Sequence, residues 1–491
     1  MTGVLIILAL FVAYLVLNTV LFTRNGRKET DPNAGSDYVA DEQLQKEVND
    51  HLIGAIHIET VSHNDPSLTD WSKFLEMHEY LKKTYPGVFS TMELEVVEKY
   101  SLMFRWKGTE EGRNPIAFLG HLDVVPVEPV SEWTYPPFSG TIADGYIWGR
   151  GTLDMRCQFI TVLESCERLI REGFTPKQDV YLLFGCNEEV GDQPAGIGAD
   201  RLSAILEERG IRLDCVIDEG GAITDGEALG IDKKVCAVGV SEKGFVSFDI
   251  YAEDEGGHSS RPPKHTALGM VCAAAQKIEN NWMKPVLNPA VEKMLTIAAP
   301  YMKSFGARFL LANKAVFRPI IPKVLSGISS IKPFVQSTTA LTMASGSPQD
   351  NVLPQEAHII MNSRLIPGDT VESVKRHLEA LCEGTGAKVK IYKGGSEASP
   401  VSPSDTVAFS TLEDLVEKYY PGTVMVPYIQ LGASDSKNYY NVCDNVYRIM
   451  PFYFPYWVTN MGHRADERIP VEALEKGVRL FMDFIREYKG E

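Results

Sequence analysis

The sequence predicts an α/β fold, in which a parallel-rich, doubly wound sheet carries an inserted α+β domain. Three observations predict it: apolar runs alternate with amphipathic segments over residues 115–221, polar/apolar alternation replaces them near residue 241, and α/β patterning returns after about residue 400. At 491 residues the chain is too long for one ordinary core. Two domains are therefore expected.

The first α/β part reads as a series of strands separated by helices. Residues 115–125 (PIAFLGHLDVV) are a short apolar run typical of a buried strand, and residues 159–174 place their apolar side chains on one helical face. Residues 179–189 and 213–221 predict two more strands, and the helix predicted between them, over 199–210, ends at a glycine stop signal. A βαβαβ series implies parallel strands covered by helices on both faces.

The inserted part has the pattern of a small antiparallel sheet. Residues 244–253 alternate strictly, with Val246, Phe248 and Ile250 on one face, as expected of a half-buried antiparallel strand. The other elements expected here are helices over 266–280 and 370–383 and strands over 358–365 and 388–394. This set predicts a ferredoxin-like sandwich. Between its elements, residues 281–340 have helical character and no role that the sequence reveals.

These patterns divide the chain into consecutive segments. They are an N-terminal anchor at 1–24, a linker at 25–44, the first part of the main α/β domain at 45–240, the inserted domain at 241–395, and the second part of the main domain at 396–491. The second part is expected to end in a helix over 471–488.

Residues 4–22 are almost wholly apolar, and about 20 such residues can cross a bilayer as a helix. The segment lacks the basic start and small-residue cleavage site of a signal peptide, so we expect an uncleaved, single-pass anchor. Basic residues follow the span and none precedes it, which favours a cytoplasmic main body under the positive-inside rule.

Charge and cysteine content narrow the function. The formal net charge of -17 argues against a general nucleic-acid binder, which needs a basic surface. The eight cysteines form no CxxC pair and mostly lie within apolar runs, so we expect buried thiols and no disulfide framework.

Polar side chains follow each of the three predicted parallel strands. The first strand runs into His121 and Asp123, the second into Glu188 and Glu189, and the third into Asp218. Ligands of open α/β sheets bind at the carboxyl ends of strands, where the loops converge. Each residue alone is explained as an ordinary surface or core residue, but together they predict a metal site.

A further acidic candidate is Asp154, which directly precedes the helix predicted from residue 159. Taken alone, it is explained as a helix-initiating aspartate. Histidine and carboxylate ligands without thiolate suit Zn²⁺ in an open catalytic site, and Mn²⁺ or Co²⁺ would also suit them because carboxylates select poorly.

Several motifs occur in the order seen in the zinc-dependent aminoacylase/carboxypeptidase family. They are GHLDVVPV (120–127), SEWTYPPFSG (131–140), GRGTLDMR (149–156), CNEEVG (186–191), IDEGG (217–221), GGHSSRPP (256–263), NSRLIPGD (362–369) and MGHRADERIP (461–470). Over residues 45–490 the chain most resembles the carboxypeptidase S-like branch, which includes N-acyl-amino-acid hydrolases. It departs from the family pattern at Arg156, where relatives often have Lys, and at GASDS (432–436), where a Thr-Asp pair is expected.

The resemblance implies two zinc ions bridged by Asp154. One ion would also bind His121 and Asp218, and the other Glu189 and His463. Glu188 would remain unligated and act as the general base on the attacking water. Asp123 is expected to accept the second N–H of the His121 imidazole and so fix its tautomer.

Three residues of the inserted domain extend the site in this resemblance. His258 would donate to the oxyanion, often across a dimer interface, so a homodimer through a lid/dimerisation domain is expected; its plain alternative is a loop histidine. Arg364 and Asn351 resemble the family's substrate clamp, in which a guanidinium grips a carboxylate. An ordinary surface arginine is the alternative for Arg364.

The function predicted is that of a membrane-anchored di-zinc hydrolase cleaving an amide bond beside a free carboxylate. Carboxypeptidase, dipeptidase and N-acyl-amino-acid amidohydrolase activities all fit, on small peptides or N-acyl amino acids. The alternative is a non-catalytic membrane receptor or scaffold that retains the fold. The GxSxG and HExxH motifs of other hydrolases are absent from the sequence. Carboxypeptidase S-like relatives act in lumenal or extracellular space, against the charge rule, so the side of the membrane stays open.

Overall fold

The computed structural model describes residues 2–28, 35, 38–191 and 193–490. The strands in these residues are β1 (Glu93–Val97), β2 (Ser101–Trp106), β3 (Ile116–His121), β4 (Thr141–Ala143), β5 (Tyr146–Trp148), β6 (Val180–Gly185), β7 (Cys215–Asp225), β8 (Lys234–Glu242), β9 (Gly244–Glu253), β10 (Gly257–His258), β11 (Thr338–Ser345), β12 (Val352–Leu353), β13 (Glu356–Leu365), β14 (Lys388–Ser396), β15 (Val424–Gln430), β16 (Val446–Tyr453) and β17 (Arg468–Pro470).

The helices in the same residues are α1 (Thr2–Gly26), α2 (Glu42–Ile56), α3 (Trp71–Thr84), α4 (Pro86–Thr91), α5 (Cys157–Arg171), α6 (Ala199–Glu208), α7 (Ala267–Asn280), α8 (Pro289–Ala298), α9 (Phe305–Ala312), α10 (Lys314–Phe317), α11 (Ile321–Ser326), α12 (Lys332–Val335), α13 (Val371–Cys382), α14 (Val407–Tyr419) and α15 (Leu474–Glu487).

The main sheet has eight strands in the order β1-β2-β6-β3-β7-β16-β8-β15. Strand β3 lies parallel to β6 and β7, β16 lies parallel to β7, and β15 lies parallel to β8. Antiparallel pairing occurs at β1–β2, β2–β6 and β7–β8. The predicted parallel-rich α/β sheet is confirmed.

Helices cover both faces of this sheet, because its central strands are apolar along their whole length. On β6, Leu182 and Phe184 join the core beneath α5 and α15, whereas Tyr181 and Leu183 join a second core beneath α6. The side chains of a strand alternate between faces, so an unbroken apolar run needs cover on each side.

The inserted sheet is antiparallel, with the order β11-β13-β9-β14. Helices α7 and α13 pack on one of its faces, where Val271 and Leu378 share a core with Phe248 of β9. Strand β9 spans the predicted residues 244–253. This arrangement confirms the predicted inserted α+β domain, while the domain limits themselves stay predictions.

The residues of unassigned role, 281–340, fold mainly into the short helices α8 to α12. The buried apolar residues of these helices do not join the core of the inserted sheet. Instead Val291, Leu295, Ile321 and Val335 belong to the core of the main sheet, together with Met425 of β15. This segment is inserted in sequence next to the small sheet but packs on the large one.

Helix α1 has the length and composition of a membrane span: its most apolar 18-residue window has a mean hydropathy of 2.8 and is 11% buried. Residues 29–34, 36 and 37 of the predicted linker lie outside the described residues. All eight cysteines are described and free; seven are buried as predicted, and Cys272 is exposed, contrary to the prediction.

Helix α15 packs closely against β16 at Gly477. A Cβ atom at this position would lie 2.2 Å from Phe452 Cε1. We expect G477A to destabilise the protein by about 1–3 kcal/mol through overpacking, measured as a lower midpoint of thermal unfolding. The control is G306A in α9, where the nearest atom to the added Cβ is Ser304 Oγ at 3.8 Å. An unchanged midpoint for G477A, with G306A also unchanged, would contradict this packing.

Candidate metal centre

Three neighbouring strands of the main sheet bring polar side chains together at the place where β3 and β6 end and β7 passes. His121 is the last residue of β3, and its register partner on β6 is Gly185. The chain continues from β6 into a short turn that contains Glu188 and Glu189. Strand β7 contributes Glu219 to the same place, since its Oε1 lies 3.3 Å from His121 Nε2.

Asp154 lies between two histidines and presents one carboxylate oxygen to each. Its Oδ1 lies 3.1 Å from His121 Nε2, and its Oδ2 lies 3.1 Å from His463 Nε2. His463 Nε2 also lies 2.9 Å from Glu189 Oε2. The helix-initiating interpretation of Asp154 is wrong, because no side chain caps α5 and Arg156 occupies the position before its first residue.

Two overlapping sets of atoms are close enough to hold cations. In one set, ligand atoms of His121, Glu188 and Glu219 all lie within 4.8 Å of one another, and in the other, those of His121, Asp154 and Glu189 do so. His121 is common to both sets. His463 joins the second set through its contacts with Asp154 and Glu189.

The structure places Glu219, and not the predicted Asp218, beside His121. Asp218 Oδ2 instead accepts a hydrogen bond from the backbone N–H of Ser436, at 2.9 Å. Successive side chains of a strand point to opposite faces, so only one of the adjacent pair Asp218 and Glu219 can face His121. Glu219 does, and the sequence analysis missed it. The signal was the second carboxylate in IDEGG, but nothing in the sequence alone fixes which face each residue takes.

Asp123 orders both the histidine and the turn that follows β6. Its carboxylate accepts hydrogen bonds from Ser62 Oγ at 2.6 Å and from the backbone N–H groups of Glu188 and Glu189, each at 3.2 Å. His121 Nδ1 lies 3.0 Å from the Asp123 carbonyl oxygen and 3.4 Å from its carboxylate. The imidazole is therefore oriented by this residue, mainly through the backbone carbonyl.

Glu467, to which the sequence analysis gave no role, positions the loop that carries Asp154. Its buried carboxylate accepts hydrogen bonds from the backbone N–H groups of Gly151 at 3.1 Å, Leu153 at 2.8 Å and Asp154 at 3.2 Å. It also pairs with Arg150, whose guanidinium donates to the carbonyl oxygen of His463 at 3.3 Å. The buried ion pair between Glu467 and Arg150 thus fixes the backbone at both Asp154 and His463.

His463 itself adopts a left-handed backbone conformation, with φ of 64°. Such a conformation costs a side-chain-bearing residue about 1–3 kcal/mol and is found where the surroundings hold it for function. The contact from Arg150 is one of the restraints that hold it here.

Arg156, one of the two departures from the family pattern, has a structural role. Its buried guanidinium donates to the carbonyl oxygens of Ala55 at 2.5 Å and Ile58 at 2.7 Å, and to Thr60 Oγ1 at 2.8 Å. Thr60 in turn donates to the carbonyl oxygen of Leu122, next to His121. Arg156 therefore ties the end of α2 to the end of β3 and does not enter the cluster.

Burial and mutual repulsion disfavour the charged forms of the clustered carboxylates. Burial raises the pKa of Glu188 well above its usual value. Burial, reinforced by the charge of Asp154, raises the pKa of Glu189 to about 7 and that of Glu219 to about 8. Although burial opposes it, the neighbouring carboxylates, with Glu219 foremost, raise the pKa of His121 well above its usual value.

These residues fit a divalent metal. Within the described residues, Glu189 Oε1 is a buried carboxylate oxygen without a hydrogen-bond partner. A buried acceptor of this kind is costly unless a cation or a donor faces it. Four carboxylates and two histidines around one point supply the oxygen and imidazole donors of a catalytic zinc site.

The inserted-domain candidates lie apart from this cluster. Nδ1 of the exposed His258 accepts hydrogen bonds from Ser260, and the backbone oxygen of Asn351 accepts one from Ser259 N, so these two predicted residues are neighbours. Arg364, on β13, donates to Asn362 and lies 5.5 Å from the ring of Phe245. Among the described residues, none of the three has a hydrogen bond or ion pair to the clustered side chains.

A doubly wound sheet with a histidine–carboxylate cluster at its strand ends defines a metal-dependent hydrolase of the α/β class. The sequence of residues 117–487 matches "Peptidase family M20/M25/M40". The chain belongs to this family, and it is an enzyme of the metallopeptidase/amidohydrolase type.

Relatives of known name agree with this assignment. The chain is 32% identical to "Probable carboxypeptidase S-like 2" of Dictyostelium discoideum, over 96% of this chain and 91% of that one. It is also 32% identical to "N-fatty-acyl-amino acid synthase/hydrolase PM20D1" of Xenopus tropicalis, over 91% of this chain and 86% of that one. The comparisons give no support to the receptor or scaffold alternative.

A solved structure supports the fold. The structure of an M20 family metallo-carboxypeptidase from Sulfolobus solfataricus superposes with a TM-score of 0.66 at 16% identity, covering 91% of this chain and 99% of that one. The predicted branch of the family and the predicted fold class are confirmed.

The choice between Asp218 and Glu219 can be tested by metal content. We expect E219Q to weaken metal binding about 100-fold or more, because it removes a charged donor facing His121. D218N is the matched control, because the amide oxygen of Asn can still accept from Ser436 N, and it should retain wild-type metal content. Competition with a chelator measures the metal affinity of both variants. A loss of affinity in D218N but not in E219Q would restore Asp218 as the ligand.

Glu467 should act on metal affinity without touching metal. We expect E467Q to lower metal affinity about 10- to 100-fold, because the loop that presents Asp154 loses a charged acceptor. The control is E472Q, at an exposed residue near the start of α15. Metal affinity and the midpoint of thermal unfolding are measured together. If E467Q lowers the midpoint but leaves affinity unchanged, Glu467 has only a structural role.

Proposed function

We propose that this enzyme binds two zinc ions and hydrolyses an amide bond next to a free carboxylate, in N-acyl amino acids or small peptides. The observation that carries the proposal is Asp154, whose two oxygens face two different histidines. A carboxylate in this position is suited to bridge two cations. Mn²⁺ or Co²⁺ would also suit the donors.

Each cation would take its own set of donors beside Asp154. His121 and Glu219 would hold one, with Glu219 in the place first predicted for Asp218. Glu189 and His463 would hold the other. When bound, the cations polarise a carbonyl group and lower the pKa of water toward neutrality.

Glu188 is the proposed general base. Its carboxylate lies in the cluster next to His121 and Glu219, and its backbone N–H is fixed by Asp123. Burial raises its pKa, which suits a group that must both accept and release a proton near neutral pH. Glu188 takes a proton from the attacking water and later gives it to the leaving nitrogen.

The inserted domain would complete the substrate site. Burial lowers the pKa of Arg364, and a partly buried guanidinium is suited to bind a carboxylate. With Asn351, it would grip the free carboxyl group of the substrate. His258 would donate to the oxyanion from a partner subunit, in a homodimer formed through residues 241–395, while residues 45–240 and 396–491 form the catalytic domain.

The names of the relatives indicate the substrate class. One relative is named for N-fatty-acyl-amino acids and another for carboxypeptidase activity, and both substrate types have an amide bond near a free carboxylate. We also propose that α1 is a single-pass membrane anchor, supported by its length and mean hydropathy. The side of the membrane is left open.

The role of Glu188 can be separated from metal binding. We expect E188Q to retain the metal content of the wild type while kcat falls about 10²- to 10⁴-fold, because the amide cannot take the proton of the water. E189Q is the comparison, since it should lose metal as well as activity. An E188Q variant that turns over like the wild type would remove Glu188 from the mechanism.

The role of Arg364 can be tested with paired substrates. We expect R364M to raise KM about 10- to 100-fold for N-acyl amino acids, because a charge-assisted hydrogen bond is lost. The same variant should not change KM for the corresponding methyl amides, which lack the carboxylate. R376M, at an exposed position of α13, is the control. An equal effect of R364M on both substrates would exclude carboxylate binding.

A further inference from the structure

The helices inserted between α7 and β11 differ from the rest of the chain in charge. Residues 303–335 contain no Asp or Glu, within a chain of net charge -17. They contain six basic residues: Lys303, Arg308, Lys314, Arg318, Lys323 and Lys332. Glu227 and Glu292 from neighbouring segments pair with three of these, which leaves the surface net positive.

The same helices expose large apolar side chains between the basic ones. The exposed apolar side chains are those of Phe305, Val316, Ile320, Val324 and Ile328, and each is 43–51% exposed. We call these five residues and the six basic residues together the docking surface. In α11, Ile321 and Leu325 are buried in the core of the main sheet, whereas Val324 faces outward. The helix is thus apolar on its outer side as well as its inner side.

The docking surface continues directly from α1. Asn18 Nδ2 donates to the carbonyl oxygen of Ala312 at 2.9 Å. Asn313 Nδ2 donates to the carbonyl oxygen of Leu15 at 3.1 Å and to Thr19 Oγ1 at 3.0 Å. Asn18 and Thr19 are the polar residues that interrupt the apolar stretch 4–22, and both bond to the end of α9.

This contact sets the depth of the inserted helices. The apolar stretch of α1 ends at Phe22, and four residues of helix rise span roughly 6 Å. If α1 crosses a bilayer, Asn313 therefore lies roughly 6 Å inside the apolar boundary. Interfacial helices are buried to a depth of about 5–10 Å, with basic side chains reaching the headgroups.

We propose that residues 303–335 form a membrane-docking surface that lies in the interface of a bilayer rich in anionic lipid, beside the α1 anchor. The inference rests on the proposed anchor and goes beyond the proposed chemistry. Apolar residues enter the acyl boundary, and the basic residues face anionic headgroups. The main domain is then attached to the membrane at two places, α1 and the docking surface, and not by a flexible linker alone.

The test uses the full chain in nanodiscs of phosphatidylcholine, with or without phosphatidylserine. In a C272S background, which removes the exposed cysteine, V324C carries an environment-sensitive fluorophore. We expect its emission to be quenched by spin labels on lipid acyl chains. The control is I142C on β4, which is 57% exposed and lies on the main domain, and its label should remain unquenched.

Charge is tested on the same probe. We expect R318E/K323E to reduce quenching of the V324C label at least twofold on discs with phosphatidylserine, and less on phosphatidylcholine alone. R318K/K323R keeps the charge and should match the parent. A V324C label as accessible to water as the I142C label, in chain that stays in the membrane, would overturn the proposal.

Two other outcomes are distinguishable. Extraction of the full chain from membranes by alkaline carbonate would show that α1 is not an anchor, and would overturn both proposals about the membrane while leaving the hydrolase untouched. Shielding of the V324C label that depends on protein concentration and not on lipid would assign the surface to a second copy of the chain, and would also overturn the docking proposal.

Discussion

The structure depends on compensating the negative charge that gathers where the buried strands β3 and β6 end beside β7. Burial raises the pKa of these carboxylates, and their mutual repulsion adds to the effect, as the raised pKa values of Glu189 and Glu219 indicate. Two histidines lie against Asp154, and their protonated forms offset part of this charge. Bound divalent cations would replace those protons, because a histidine ligand is neutral. The same repulsion that makes the cluster costly therefore favours the binding of a divalent metal.

Such a cluster needs a rigid frame, and the frame is itself built of buried charge. The carboxylate of Glu467 accepts hydrogen bonds from three backbone N–H groups at or near Asp154. Its ion-pair partner Arg150 donates to the backbone of His463. Asp123 does the same for the turn after β6. Breaking one partner of such a pair leaves an unpaired buried charge, so these residues are constrained almost as strongly as the cluster they support.

The fold class and the first members of the cluster could be predicted from residue patterns, because strand ends in a parallel sheet converge by topology alone. The shared role of Asp154 and the place of His463 came only from the resemblance to the family. It was not sufficient where the outcome depended on which way a side chain turns. Asp218 and Glu219 are both carboxylates, and as neighbours on β7 they point to opposite faces of the strand. Glu467 could not be found from spacing, since its role is to accept hydrogen bonds from a backbone more than 300 residues earlier.

The inserted helices could not be assigned from sequence for a related reason. Their apolar residues serve two surfaces at once, the core of the main sheet and the outside, so no single amphipathic period stands out. The contact between α9 and α1 also explains why two polar residues interrupt the apolar stretch of α1. Polar side chains in a membrane-spanning helix are costly unless they are hydrogen-bonded. Asn18 and Thr19 are bonded, to Asn313 and its neighbour. An anchor of the kind proposed would use these contacts to hold its domain in a fixed orientation.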